Sequence, residues 1–236
     1  MRAVILAGGK GTRLKPYTTI FPKPLVPIDG MPILEIVIRQ LKAHGFTRVT
    51  LSVGYLAELL MAYFGDGNKF GIQLEYSKED HPLGTTGALA LIPDLDKTFL
   101  VMNGDILTML DYRELIDYHC HTGATATIAM HKRSVKIDLG VLQVNEQNEL
   151  TGYIEKPVYE YRVSMGVYVF EPKVLDYIRP GERLDLPDLV HMLLQNGDKV
   201  MGFPYDGYWL DIGRPDDYEQ AVEEFSRLRG EFLRDG

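Results

Sequence analysis

The stretch VILAGGKGTRL, residues 4–14, decides the fold, because a short apolar run leads there directly into a glycine-rich loop. The apolar run predicts a buried strand. Three of the next four residues, 8–11, are glycines, and glycine lets backbone N–H groups approach a ligand closely. Lys10 and Arg13 add positive charge to the same loop. The sequence therefore predicts a phosphate-binding loop at the end of the first strand.

The class of this loop follows from its spacing. The Walker pattern GxxxxGK followed by Ser or Thr is absent, and the dinucleotide pattern GxGxxG fails because Leu14 stands where its third glycine belongs. The run LAGGKGTRL, followed by PKPL at 22–25, instead resembles the signature of the sugar-nucleotide pyrophosphorylases. These are nucleotidyltransferases that act on a nucleoside triphosphate and a sugar-1-phosphate.

Composition excludes several other classes of protein. The 236 residues are 45% hydrophobic and 25% charged, as in ordinary soluble domains, and the net charge of −8 argues against a nucleic-acid-binding surface. The single cysteine, Cys120, cannot form an internal disulfide, which suits a reducing compartment. No apolar run approaches the roughly 20 residues that span a membrane. We therefore expect a cytoplasmic protein without nucleic-acid or membrane partners.

Apolar runs and helical segments alternate in the first half, as in a doubly wound α/β sheet. The patterns predict strands at 4–7, 48–53, 72–76 and 99–102, and helices at 32–44, 57–64 and 84–91. Ligands in such sheets bind beyond the carboxyl ends of the strands. Both the glycine loop and Asp105 fall there.

The second half changes character. It predicts strands at 124–131, 140–144, 150–154, 163–170 and 200–203, and helices at 173–178, 187–195 and 215–233. We expect a Rossmann-like nucleotidyltransferase fold, with a mixed, mostly parallel central sheet flanked by helices and an antiparallel-rich second half. The expected organisation is one domain, 1–236, with a nucleotide-binding half (1–110) and a sugar-phosphate-binding half (111–236).

Two aspartates each follow an apolar strand. Asp105 lies in a GDI context and Asp211 in WLDIG. Two carboxylates brought together at one edge of the sheet suit Mg²⁺, which binds oxygen ligands and often takes only one or two carboxylates plus phosphate. Alternatively, each aspartate caps a turn. Both contexts resemble the family's metal-binding segments, and the resemblance favours the Mg²⁺ role.

The resemblance also assigns a sugar-phosphate site. An EKP segment, Glu155 and Lys156 with the proline after them, resembles the family segment whose lysine contacts the sugar phosphate. Gly140 and Gly166 resemble its sugar-site glycines, and Asn103 joins this set. Taken alone, EKP is typical of an exposed turn with a solvated salt bridge.

A nucleobase segment is implied in the same way. GTTG at 84–87 resembles the family's GTAG, with Thr86 in place of alanine. Glu79 falls where relatives place the side chain that reads the base. A carboxylate there can accept from the N1–H and amino group of guanine or from one N–H of uracil or thymine. Alternatively, Glu79 is a solvated acid. The predicted nucleotide-binding residues are Leu6, Ala7, Gly8, Gly9, Gly11, Thr12, Glu79, Gly84 and Thr85.

The implied reaction is attack of a sugar-1-phosphate oxygen on the α-phosphorus of a nucleoside triphosphate, with release of pyrophosphate. This nucleophile is already ionised, so positioning and charge neutralisation are what the reaction needs. The resemblance assigns Arg13 and the loop amides to the triphosphate, Lys23 to the α-phosphate, and Lys156 to the sugar phosphate. Arg13 and Lys23 are the expected catalytic residues.

The residues His119-Cys120-His121 do not make a metal site, because side chains two apart on a helix do not share a face. We interpret them as a surface helix end before Gly123. The C-terminal helix carries Phe225 and Phe232 among its apolar residues. The sequence leaves open whether this helix packs on its own domain or joins copies into a homo-oligomer.

Base and sugar also remain open. FPKPLVPI, GDI and WLDIG look most like mannose- or heptose-1-phosphate guanylyltransferases, and uridylyl- and thymidylyltransferases for glucose or amino sugars are close to them. A silent nucleotide-sugar-binding regulator would commonly lack loop cations or a metal aspartate, and these are present here. A cytidylyltransferase for a phosphorylated alcohol shares the loop. Because no hexapeptide period follows, we expect a stand-alone catalytic domain without a C-terminal β-helix.

Overall fold

The computed structural model describes residues 1–233 as a layered α/β structure. The strands are β1 (Arg2–Ala7), β2 (Pro27–Ile28), β3 (Met31–Pro32), β4 (Arg48–Val53), β5 (Gln73–Lys78), β6 (Phe99–Asn103), β7 (Ile106–Thr108), β8 (Ala126–Lys136), β9 (Val141–Val144), β10 (Leu150–Ile154), β11 (Val158–Phe170), β12 (Val200–Tyr205) and β13 (Trp209–Asp211). The helices are α1 (Ile33–Ala43), α2 (Ala57–Phe64), α3 (Gly84–Gly87), α4 (Tyr112–Thr122), α5 (Leu186–Gln195) and α6 (Pro215–Phe232).

The central sheet has seven strands in the order β12-β8-β11-β6-β1-β4-β5. All of them run parallel except β11, which is antiparallel to both of its neighbours, β6 and β8. The inner strands are continuous apolar runs because helices cover both faces of the sheet. The expected Rossmann-like, mostly parallel sheet is confirmed.

Side chains alternate between the two faces of the sheet. Ile5 packs on one face with α1, α2 and α4, whereas Val4 packs on the other with α5. A third apolar cluster joins α6 to α1 and to the segment after the glycine loop. Phe225 and Phe232 of α6 are 0% and 2% exposed in this cluster, so the C-terminal helix packs on its own domain.

An antiparallel ribbon extends from the sheet. The ends of β8 and β11 continue beyond the core, and β9 and β10 form a separate two-stranded hairpin between them. We call residues 132–163 the arm. Strand β11 begins at Val158, whereas the sequence predicted a start at 163, because its first residues alternate without being buried. The expectation of an antiparallel-rich second half is confirmed.

Helix α4 corrects one expectation. The helix ends before Gly123 as predicted, and Cys120 and His121 are exposed. His119, however, is fully buried rather than at the surface. Its Nδ1 lies 2.8 Å from Thr127 Oγ1 and its Nε2 lies 3.0 Å from Glu171 Oε1, so both ring nitrogens have polar partners.

Segment 173–178, predicted as a helix, is a six-residue 3₁₀ helix at Pro172–Tyr177. The strands of three residues or fewer, β2, β3, β7 and β13, were not predicted as strands. None of the helices within residues 1–233 is both long enough and apolar enough to cross a membrane.

Candidate functional site

A cleft of about 710 Å³ opens beyond the carboxyl ends of β1, β4, β5 and β6. Parallel strands present these ends at one edge, which brings distant segments of the chain together. Thirteen of the residues predicted from the sequence line it: Leu6, Ala7, Gly8, Gly9, Gly11, Thr12, Arg13, Lys23, Glu79, Gly84, Thr85, Asn103 and Asp105.

The glycine loop folds back over its own downstream segment. Gly11 has a φ of 60°, and its carbonyl accepts hydrogen bonds from Leu14 N at 3.0 Å and Thr18 Oγ1 at 2.7 Å. A Cβ at Gly11 would lie 2.9 Å from Thr18 Cγ2 and 3.0 Å from Lys23 Cβ. Glycine is therefore needed here both for backbone conformation and for space. The turn brings Lys23 under the loop.

Lys23 and Asp105 form an ion pair in the floor of the cleft. The Lys23 ammonium donates to Asp105 Oδ2, and the two side chains are only 10% and 23% exposed. The other oxygen of Asp105, Oδ1, is buried and accepts no hydrogen bond from any group of residues 1–233. A buried carboxylate oxygen without a partner costs free energy unless something else coordinates it.

A short sheet brings Asp211 close to Asp105, although Asp211 is not among the residues that line the cleft. It lies opposite Ile106 in the antiparallel pair of β13 and β7, and Ile212 N donates to Asp105 O at 3.1 Å. Asp211 reaches solvent, yet the surrounding protein raises the pKa of its carboxyl, and the neighbouring Asp105 carboxylate raises it further. Lys23 and Arg13 oppose this rise. The carboxylates of Asp105 and Asp211 together thus carry negative charge that Lys23 and Arg13 neutralise only in part.

These two carboxylates fit a divalent cation. The described chain holds no group of three or more His, Cys, Asp or Glu side chains suited to a metal ion. A pair suffices for Mg²⁺, however, because phosphate and water oxygens complete its shell. The unpartnered Asp105 Oδ1 and the raised pKa of Asp211 are the two observations that favour such a ligand.

The opposite end of the cleft is built around Glu79. Its Oε1 accepts from Ser52 Oγ at 3.2 Å and its Oε2 accepts from Leu83 N at 2.9 Å. A Cβ at Gly8 would lie 2.8 Å from Glu79 Oε1, so this carboxylate sits directly against the glycine loop. Glu79 therefore lies in the cleft with both oxygens engaged. Each oxygen still has a lone pair for a further donor.

Sequence reasoning missed Asp185 in this region. Its Oδ1 accepts from Thr85 N at 3.2 Å, and the carboxylate lines the cleft. Beside it, Leu184 O accepts from the backbone N–H groups of Thr86 and Gly87, each at 3.0 Å. A segment of the second half thus holds the predicted nucleobase segment. No local pattern marks this contact, because its partners lie about a hundred residues apart in the sequence.

The predicted sugar-phosphate residues lie in two places, some at the cleft and the others on the arm. Gly166, with a φ of 74°, lies beside the cleft, because a Cβ there would meet Asn103 Nδ2 at 2.7 Å. Gly140 lies on the arm against the Tyr153 hydroxyl. Glu155 and Lys156 are 59% and 58% exposed on the arm, with 3.8 Å between Oε1 and Nζ, and they do not line the cleft. Their assigned roles remain predictions.

Comparison with known proteins agrees with this geometry. A profile of the nucleotidyl transferase family matches residues 2–227. The chain is 37% identical to the UTP–glucose-1-phosphate uridylyltransferase of Synechocystis over 94% of its own length and 62% of the relative's. It is 34% identical to the mannose-1-phosphate guanylyltransferase of Mycobacterium tuberculosis over 95% of its own length and 64% of the relative's. The chain therefore spans a little over three fifths of these relatives.

The fold recurs in solved structures. The crystal structure of HddC from Yersinia pseudotuberculosis superimposes with a TM-score of 0.74 at 28% identity, covering 95% of this chain and 99% of HddC. A second crystal structure of HddC is a complex with GMP-PN, and it superimposes with a TM-score of 0.72.

Proposed function

The chain belongs to the nucleotidyl transferase family, and on that premise we propose that it joins a sugar-1-phosphate to the nucleotidyl group of a nucleoside triphosphate. The observation that carries the proposal is the floor of the cleft, where the glycine loop meets the Lys23–Asp105 pair, with Asp211 close enough to Asp105 to raise its own pKa. This combination offers backbone donors and cations to phosphates beside two carboxylates suited to Mg²⁺.

The reaction forms one P–O bond and breaks another. A sugar-1-phosphate oxygen attacks the α-phosphorus, the bond from that phosphorus to the α,β-bridging oxygen breaks, and pyrophosphate leaves with the bonding electrons. Arg13 and the loop amides hold the β- and γ-phosphates, and Lys23 lies where negative charge on the α-phosphate develops. Asp105 and Asp211 would hold Mg²⁺. The bound ion would neutralise phosphate charge.

Lys23 is held in position for this role by Asp105. Because its ammonium already pairs with Asp105, its position in the cleft floor is fixed before substrate arrives. A preorganised cation stabilises the transition state without the cost of ordering a flexible side chain at the moment of reaction. The adjacent carboxylate keeps this lysine next to the expected metal position.

The base we propose is guanine, with mannose- or heptose-1-phosphate as acceptor. Two carboxylates, Glu79 and Asp185, line the part of the cleft where we propose that the base binds, and guanine would present an N1–H and an amino group to such acceptors. The guanylyltransferase relative and the GMP-PN complex of HddC support this choice. The alternative is a uridylyl- or thymidylyltransferase for glucose or an amino sugar, which the uridylyltransferase relative supports.

The test is pyrophosphate release by the purified chain with Mg²⁺, crossing GTP, UTP, dTTP, CTP and ATP with mannose-, heptose-, glucose- and N-acetylglucosamine-1-phosphates. We expect release with GTP and mannose- or heptose-1-phosphate. Release with UTP or dTTP and a glucose-type acceptor would instead select the alternative. Nucleotide binding without release from any pair would contradict the enzyme and favour a regulatory homologue.

A further inference from the structure

Asp185 is a carboxylate of the second half of the chain that lines the cleft. Its Oδ1 accepts a hydrogen bond from Thr85 N at 3.2 Å, and its Oδ2 accepts one from Arg183 Nη2 at 2.9 Å. Each carboxylate oxygen has two lone pairs, so each oxygen of Asp185 keeps one for a further donor. The side chain is 37% exposed. A ligand in the cleft can therefore reach a carboxylate whose position is already fixed.

Asp185 and Glu79 are anchored to the same short backbone segment. Glu79 Oε2 accepts from Leu83 N at 2.9 Å, two residues before the amide that donates to Asp185. Two residues of chain span at most about 7 Å, so the two anchoring amides lie no farther apart than that. Leu184 N also donates to Leu83 O at 2.9 Å, which joins the segment before α5 to the segment before α3. The fold thus holds two acceptor groups from different elements within reach of one nucleobase.

This end of the cleft offers acceptors without a lysine or arginine beside them. Asp80 adds a third, exposed acid to its lining. The lysines and arginines that line the cleft are Lys10, Arg13 and Lys23, and all of them lie in the glycine loop or shortly after it. Arg183 pairs with Asp185 but does not line the cleft. A base bound at this end is therefore selected by the hydrogens that it donates.

The nucleobases differ in how many such hydrogens they present. Uracil and thymine present one N–H, whereas adenine and cytosine present an amino group. Guanine presents an N1–H with the 2-amino group beside it, which makes three hydrogens. The N1–H and the nearer amino hydrogen lie side by side and suit the two oxygens of one carboxylate. The other amino hydrogen points away from N1 and needs a second acceptor.

We propose that Asp185 accepts this outer amino hydrogen while Glu79 accepts the other two, so that the cleft selects a purine with a 2-amino group. The inference rests on the proposed function, because it assumes that a nucleoside triphosphate binds with its base at this end of the cleft. Hypoxanthine, the base of inosine triphosphate (ITP), has the N1–H of guanine but no amino group. With ITP bound, Asp185 would lose water and gain no donor, and an acceptor left unpaired in this way disfavours binding.

Isothermal titration calorimetry with Mg²⁺ and no sugar phosphate tests the inference. We expect the wild type to bind ITP about tenfold or more weakly than GTP. Asp185→Asn should weaken GTP to about the affinity of ITP and leave the affinity for ITP nearly unchanged. Asparagine keeps an oxygen that can accept from Thr85 N, so the anchored segment should stay in place. The matched control is Asp188→Asn on α5, an exposed position outside the cleft lining, which should keep the wild-type ratio of the two dissociation constants.

The ratio separates base recognition from a purely structural role. If Asp185 only anchors the backbone, its substitution would weaken GTP and ITP by the same factor, and this result would overturn the inference. Equal affinity of the wild type for GTP and ITP would also overturn it, and that measurement needs no variant. Thermal melting checks that each variant is folded.

Failure of the proposed reaction is distinguishable from failure of this inference. A chain that binds GTP in preference to ITP and loses that preference in Asp185→Asn, yet releases no pyrophosphate with any acceptor, would contradict the reaction and support the recognition of the amino group. Tighter binding of UTP than of GTP would overturn the proposed base and this inference together.

Discussion

Replacing Asp211 by asparagine separates the cost of this residue for folding from its value for metal binding. The pKa of the Asp211 carboxyl is raised in the folded protein, first by burial and then by Asp105. A carboxyl with a raised pKa binds its proton more tightly folded than unfolded. The folded state therefore loses stability as the pH rises from below the unfolded pKa through the folded one.

The size of this loss can be bounded from the structure. Like charges directly opposite each other on paired strands destabilise by up to about 1 kcal/mol. Asp105 adjoins Ile106, the residue opposite Asp211, and Asp211 reaches solvent, which screens it, so this figure is an upper bound. We therefore expect Asp211→Asn to gain about 0.5–1 kcal/mol at neutral pH without divalent cations. In a chain of this size that gain raises Tm by about 1–4 °C. The same change should weaken activation by Mg²⁺.

The assay is calorimetry in EDTA, repeated as a function of pH and with added Mg²⁺ and nucleoside triphosphate. The difference in Tm between variant and wild type should shrink as the pH falls into the range where the wild-type carboxyl is protonated. The control is Asp117→Asn, an exposed position on α4, which should change neither Tm nor the Mg²⁺ titration. A variant that melts lower than wild type in EDTA and keeps the wild-type Mg²⁺ curve would refute this reasoning and return Asp211 to a turn-capping role.

Three further variants test other parts of the site and its scaffold. Lys23→Ala should lower kcat for pyrophosphate release by about 10²-fold or more, because a fixed cation at the transferring phosphate is lost. Near-normal turnover by the folded variant would remove Lys23 from the mechanism. Glu79→Gln should lower kcat/KM for GTP about tenfold or more relative to UTP, since a carboxylate paired with a base contributes about 1–3 kcal/mol. If competition assays gave an unchanged ratio of kcat/KM for GTP to kcat/KM for UTP, Glu79 would have only a structural role. His119→Ala should lower the free energy of unfolding, measured in urea, by about 2–4 kcal/mol, because Thr127 and Glu171 lose a buried partner. The control, His121→Ala at an exposed position, should change this free energy by less than about 0.5 kcal/mol. Equal effects of the two substitutions would contradict the buried network.

The parts of the fold that were predictable are those in which local pattern and burial coincide. Strand β4 and helix α2 have the predicted bounds because each is apolar where it meets the core. The start of β11 was misplaced because its first residues alternate in solvent, where hydrophobicity no longer reports the structure. Burial of His119 was missed because it depends on Glu171, which arrives from a different strand end.

The residues of the cleft likewise separate into those that a local sequence pattern identifies and those whose role depends on a distant part of the chain. Its glycine loop and Asp105 follow strands along the sequence, so local signals found them. Asp185 escaped notice because its role depends on Thr85, and the two are joined only by the folded chain. The EKP segment shows the limit of resemblance, since Glu155 and Lys156 match a motif yet lie on the arm outside the cleft lining.

The hydrogen bonds from Thr86 and Gly87 to Leu184 have a consequence for biosynthesis. During translation, β1, β4, β5 and β6 emerge from the ribosome early, together with the segments between them that carry the predicted nucleotide-binding residues. The segment at 84–87, however, has no partner for these backbone groups until residue 184 has left the exit tunnel, and Asp211 follows later still. A nascent chain thus exposes the four parallel strands β5-β4-β1-β6 well before the cleft is complete, so we expect nucleotide binding only after the second half of the chain has emerged.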